Sequence, residues 1–116
     1  MGSDIRSINL KPDRPTVQEA LTRLERELNL ARQQGRHSIL KVIHGYGSTG
    51  KGGDIRIAVQ LHLRELAQAG AIRGCIFGED WSKGNEDVWQ LLHVRPELKG
   101  DADLGRRNLG ITVVLL

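Results

Sequence analysis

The chain has 116 residues, 39 % hydrophobic and 27 % charged, with 17 Lys and Arg against 14 Asp and Glu for a formal net charge of +3. This fits one globular domain spanning 1–116 and excludes a disordered chain. No apolar run approaches the roughly 18 residues of a membrane span. The opening Met1-Gly2-Ser3-Asp4-Ile5-Arg6 lacks the basic-then-apolar order of a secretory signal, and the lone Cys75 can form neither an internal disulfide nor a zinc site of cysteines. The expectation is a cytoplasmic protein with no membrane contact, no metal and no cofactor.

Residues 5–10 predict a short strand, with Ile5, Ile8 and Leu10 apolar and polar residues between them. Lys11-Pro12-Asp13-Arg14-Pro15 is a proline-bracketed turn that cannot continue it. Thr16 with Glu19 three residues on is a capping box, in which hydroxyl and carboxylate each satisfy an orphan amide. Val17, Ala20, Leu21, Leu24, Leu28 and Ala31 then form one helical stripe, and Gly35 is the expected stop. Residues 39–43, Ile-Leu-Lys-Val-Ile, read as a buried central strand. A glycine-rich loop follows, from His44 to Gly53. Asp54 is the expected cap of a second helix, with Ile55, Ala58, Val59, Leu63 and Leu66 as its buried stripe and Gly70 as its end. A third strand is predicted over 71–77.

Between 78 and 110 the pattern weakens. Residues 85–93 predict a short helix with Val88, Trp89 and Leu92. The Gly, Pro and Asp residues around it mark loop, and so long a loop is often functional or mobile. The apolar run 111–116 is a closing strand. The order is strand, helix, strand, helix, strand, excursion at about 81–104, strand. Strand-helix-strand units imply parallel neighbours joined by right-handed crossovers. The prediction is an α/β fold: a mixed four-stranded sheet, two helices on one face, two layers in all.

Charge is unevenly spread. Residues 1–78 hold 12 basic and 7 acidic side chains, whereas 79–116 hold 5 basic and 7 acidic. A mildly basic first part favours a polyanion without proving one. The loop between the second strand and second helix is the best anion site in the chain. Glycines let a backbone approach phosphate closely, and a helix start offers free amides and the positive dipole end. Lys51, Arg56 and His44 add cationic or hydrogen-bonding groups. Gly45 to Lys51 also fits the first seven positions of a P-loop, but Gly52 stands where Ser or Thr would hold magnesium, which argues against nucleotide hydrolysis.

Ile43-His44-Gly45-Tyr46-Gly47, further glycines, then Ile55-Arg56-Ile57-Ala58-Val59 resemble the core motif of the small MutS-related (Smr) domain, apolar-His-Gly-x-Gly followed by Leu-Arg and a helix. Thr16-Val17-Gln18-Glu19-Ala20 resembles that family's Thr-Val-x-Glu-Ala segment. Phe77-Gly78-Glu79-Asp80 is similar to the segment after its third strand, and Gly110-Ile111-Thr112-Val113-Val114 to its closing strand. The likeness covers about 5–80 and 105–116. It implies a two-layer βαβαββ sandwich and binding to the phosphate backbone of DNA or RNA; several members are endonucleases. The nucleic-acid-binding residues it implies are Lys11, His44, Gly45, Tyr46, Gly47, Lys51 and Arg56, with His44 and Arg56 as candidate catalytic groups. The chain departs from the family at the first strand. The usual Asp and His there align with Asn9 and Lys11, neither of which is a useful general base at neutral pH. The glycine loop and the 81–104 excursion are also longer than usual, which suits a lid or partner surface.

Other residues carry plainer expectations. His44 either contacts phosphate or closes a strand by bonding the loop backbone. Arg56 either clamps phosphate or is solvated, and Tyr46 either stacks on a base or shields the loop. His37, His62 and His93 are structural or exposed, Cys75 a core residue, and Glu79 and Asp80 an acidic turn. Trp81 and Trp89 anchor the excursion to the core or to a partner. Two rival functions stay open: a nuclease using His44, Asp13 and Arg56, and a protein-interaction module using Trp81 to Asn108.

Overall fold

The computed structural model describes residues 5–35, 38–46 and 51–116. Thr16 caps the first helix, α1 (Val17–Gln34). Its hydroxyl accepts from the Glu19 amide at 3.1 Å, and the Glu19 carboxylate accepts from the Thr16 amide at 2.9 Å. These bonds hold the exposed Glu19 carboxyl below its ordinary range. Gly35 ends the helix with φ 63, and its amide reaches the Ala31 carbonyl. Ala20, Leu24, Leu28 and Ala31 are buried, as the stripe requires.

Four strands form one sheet: β1 (Ile5–Asn9), β2 (Ile39–Ile43), β3 (Gly74–Phe77) and β4 (Ile111–Leu115), in the order β1-β2-β4-β3. β1 and β2 run parallel, with Asn9 opposite Ile43. β4 enters between β2 and β3, antiparallel to both, with Ile43 opposite Ile111 and Phe77 opposite Thr112. The sheet is mixed, as predicted, and the last strand is a central one.

The second helix, α2 (Lys51–Gln68), begins three residues before the predicted Asp54 cap, so Asp54 lies in its first turn. Glycines at 52 and 53 argued for loop, yet they are carried into the helix ahead of Ile55, Val59 and Leu63, all buried. β3 is shorter than predicted because residues 71–73 unwind α2. The Ala71 amide returns to the Leu66 carbonyl, and Ile72 fills the core without being in a strand.

α1 and α2 cover one face of the sheet. Their core joins Leu24, Leu28, Val59 and Leu63 to Ile8, Leu40, Val42 and Val114. Side chains alternate along a strand, so Ile39, Lys41, Ile111 and Val113 face the other way. The 81–104 excursion covers that second face as a third layer beyond the two predicted. Entered through a 3₁₀ turn at Gly78–Asp80, it comprises the helix α3 (Glu86–Val94) capped by Asn85 and a second 3₁₀ turn at Pro96–Gly100. Trp81, Val88, Leu92 and Leu98 pack onto Ile39, Ile76, Ile111 and Val113. α3 is the short helix predicted over 85–93; the turn residues around it read as loop, and the sparse apolar residues of the stretch are enough to seal it against the strands. Among the described residues, no helix is long and apolar enough to cross a membrane.

One charged group lies inside the second layer. Lys41, on the central strand, is buried, and its ammonium donates to Asp101 at 2.7 Å and Asp103 at 2.6 Å. Asp101 also accepts from the Trp81 indole at 2.9 Å, and Asp103 from the Asn108 amide at 3.0 Å. Burial by itself would push the Lys41 ammonium down, but the two carboxylates outweigh it and the net displacement is upward. The bonds from Lys41 and Asn108 hold the Asp103 carboxyl low. A raised lysine stabilises at all pH below its unfolded value and a lowered carboxyl at all pH above its own, so the pair holds throughout the neutral range. Lys41→Met strands two carboxylates beside an apolar layer. We expect a loss of about 3–5 kcal/mol in urea unfolding, well above the cost of an exposed ion pair.

Candidate functional site

The carboxyl ends of β1 and β2 lie side by side, and the starts of α1 and α2 are reached from them. In parallel α/β arrangements this is where ligands bind. Past β1, the Leu10 amide still pairs with the Ile43 carbonyl at 2.9 Å. The Asn9 side chain accepts from the Lys11 amide at 3.0 Å and so closes the turn. Arg23 of α1 donates to the Pro12 carbonyl at 3.1 Å, bracing a turn in which Asp13 and Arg14 hold positive φ, 66 and 45. Lys11 and Asp13 are both exposed.

Past β2, the chain turns at Gly45, where φ is 76, a left-handed value that other residues adopt only at a cost. The His44 and Gly45 amides both donate to the Gly110 carbonyl, at 2.9 and 3.0 Å. These two amides are therefore spent within the fold. This corrects the expectation that the loop as a whole offers free amides. A methyl group on Gly45 would lie 3.7 Å from Lys11 Cδ, so the Lys11 stem runs along this turn. Tyr46 follows, 58 % exposed, with its ring edge against Gly110.

His44 is only 2 % exposed. Its Nδ1 lies 2.6 Å from the Gly45 carbonyl, which can only accept, so Nδ1 carries the proton. Nε2 then accepts from the Thr112 hydroxyl at 2.9 Å, and Gln60 of α2 lies 3.5 Å from the same hydroxyl. Burial first, with the nearby Arg56 guanidinium adding to it, pushes the imidazole below its ordinary 6.5. His44 is a neutral, fully bonded tie between β2 and β4. Of the two roles open from sequence, the structure favours the strand-closing one over phosphate contact.

Arg56 of α2 donates to Glu79 at 2.7 Å. The contact is single-pronged: Arg56 Nε and Glu79 Oε1 are buried and, among the described residues, have no hydrogen-bond partner. Arg56 is thus half-buried and ion-paired rather than an open clamp, and Glu79 is its counter-ion rather than part of a free acidic turn. Arg56 lies close enough to His44 to act on its ionisation, and Lys11 joins them only through Gly45. Gly47 lies outside the described residues. So does the side chain of Lys51, whose backbone starts α2.

The remaining candidates fall away from this turn. His62 pairs with Glu25 and ties α2 to α1, His93 bonds back to the Trp89 carbonyl at 2.9 Å, and His37 lies outside the described residues. Cys75 is half-buried beside the first core, and burial raises its thiol. Trp81 is the core anchor of the excursion, whereas Trp89 is more than half exposed, its ring against that of His93.

Sequence reasoning missed the groups that hold the site in shape. Asn108 accepts from the Gly110 amide at 2.9 Å while donating to Asp103. Gly110 in turn receives the His44 and Gly45 amides, so the buried Lys41 network is bonded through to the Gly45 turn. A lysine within an apolar strand run was the one available signal, since such a charge demands a buried partner. No protein-family model, no curated protein and no solved structure matches this chain.

His44 makes a testable contribution to stability. Its folded pKa lies below the unfolded 6.5, so stability is present above that pH and is lost as pH falls through the folded value. The urea midpoint should drop between pH 7.5 and 5.5, and the drop should be smaller in His44→Gln. An equal drop in both proteins would assign the acid sensitivity elsewhere.

Proposed function

We propose that this chain is a nucleic-acid-binding domain of the Smr type, holding the phosphate backbone of DNA or RNA without strong sequence preference. The observation that carries the reading is the exposed pair formed by Lys11, whose stem runs along Gly45, and Tyr46, the next residue, at the carboxyl ends of two parallel strands. A cation beside an exposed aromatic ring suits a strand whose phosphates are neutralised and whose bases stack. His44 and Gly45 are positioning residues in this reading. They hold the turn that presents Lys11 and Tyr46, and neither they nor Arg56, which is paired with Glu79, meet the ligand.

The chemistry favours binding over cleavage. The His44 ring has both nitrogens engaged and is sealed from solvent, and the Asn9 amide oxygen is occupied by the Lys11 backbone. Neither is free to move a proton for an attacking water. The rival reading, a protein-interaction module in the excursion, keeps only its outer surface, where Trp89 and Val94 are exposed, because the inner surface is committed to the sheet.

Labelled single- and double-stranded DNA and RNA should bind at low salt and release as salt rises. Lys11→Glu should weaken binding to all sequences alike and flatten the salt dependence by about one ion. Tyr46→Ala should cost about tenfold on single strands and less on duplexes. Absence of binding at low salt would overturn the proposal. Cleavage products that disappear in His44→Gln would overturn its binding-only part.

A further inference from the structure

The sheet has an unprotected edge. β3 pairs with β4 on one side, and beside its other side runs an open groove of about 250 Å³. It is lined by Cys75, Ile76 and Phe77 of β3, by Asp80 just beyond the strand, by Arg64 of α2, and by Asn85 and Asp87 at the start of α3. An open strand edge is a template for another strand. Native edges are blunted by charge within the strand, by proline or by a covering segment. Residues 74–77, Gly-Cys-Ile-Phe, contain no charge and no proline.

The surface next to this edge is apolar as well. Ile57 and Leu61 of α2 are 63 % and 56 % exposed. At about 100° per residue they fall within about 60° of Arg64 around the helix, on the flank away from the His62–Glu25 contact with α1. The same flank of α2 therefore carries both the groove wall and two large uncovered side chains.

We infer that the β3 edge is a self-association surface, and that its occupant is β3 of a second copy of this chain. Two copies of this edge are complementary in charge. The exposed Arg73 stands immediately before β3 and the exposed Asp80 just beyond it, so the edge is positive at its start and negative at its end. A two-fold axis normal to the sheet makes the two strands antiparallel. It sets Arg73 of each copy toward the exposed Asp80 of the other, so one complementary contact is made twice. A parallel peptide or an unrelated strand does not share that polarity by necessity, whereas a second copy always does. The same axis keeps both α2 helices on one face of the joined eight-stranded sheet and turns their Ile57–Leu61 flanks toward each other. The Lys11–Tyr46 turn lies at the far side of the sheet order, on β1 and β2, and stays open in the dimer.

The test is sedimentation equilibrium of the full chain with three variants. The wild-type chain should be a dimer at high micromolar concentration. Arg73→Glu and Asp80→Arg each place like charges at both ends of the pairing and should weaken dimerisation about tenfold or more. The double variant carrying both changes reverses the polarity and should restore it. Both positions are exposed, and unchanged circular dichroism confirms folding. A monomer at every concentration overturns the inference. So does a dimer indifferent to the single substitutions, or one that the double variant fails to rescue.

Discussion

The buried Lys41 ammonium ties the excursion to the sheet. A lysine at the middle of a central strand must either reach solvent or find counter-charge, and here the sheet gives it no path outward. Asp101 and Asp103 come to it from about sixty residues away, and with them come the Trp81 indole and the Asn108 amide. The ion cluster is thus a docking device. It selects which part of the excursion lies over β2 and fixes its register, a task that interchangeable apolar contacts perform poorly. Buried charge is a doubtful source of net stability, but it discriminates strongly against misplacement.

The same cluster reaches the proposed ligand end. Asp103 orients Asn108, Asn108 holds the Gly110 amide, and the Gly110 carbonyl takes the two amides of the His44–Gly45 turn. Close packing reinforces this path. A methyl group on Gly78 would fall 1.8 Å from the Asn108 carbonyl, so only glycine allows the first 3₁₀ turn to approach that point. The shape of a loop on one side of the sheet is therefore set by ionic bonds on the other, through a strand that is central in space and late in sequence.

Much of this was legible in the residues, and the division has a physical basis. The Thr16–Glu19 capping box, the α1 stripe, the β2 run and the closing strand are local signals, each complete within a few turns of chain. The mixed sheet followed from their order. What could not be read locally were partners. His44 has a neighbour at Thr112, Arg56 at Glu79 and Lys41 at Asp101, each supplied by a distant segment. A cationic side chain beside glycines looks like an anion site until its counter-ion is known. The short helix at 85–93 is also a local signal, but that the excursion packs as a third layer is not, since its helix and turns gain their order from the sheet beneath them. The likeness to the Smr motif pointed to His44 and Arg56 as ligand groups, while both are engaged within the fold, by Thr112 and Glu79.

Placing β4 between β2 and β3 also governs how the fold can assemble. β1, α1, β2 and α2 are near neighbours along the chain and can close upon one another early. β3 can join their sheet only through β4, which lies beyond the whole excursion. Loops that long close slowly, so the half-built sheet must persist with β2 and β3 both unzipped. During that interval the uncharged Gly-Cys-Ile-Phe segment has neither of its flanks satisfied. The molecule is then at its most adhesive, and the pace at which residues 111–115 arrive decides how long that exposure lasts.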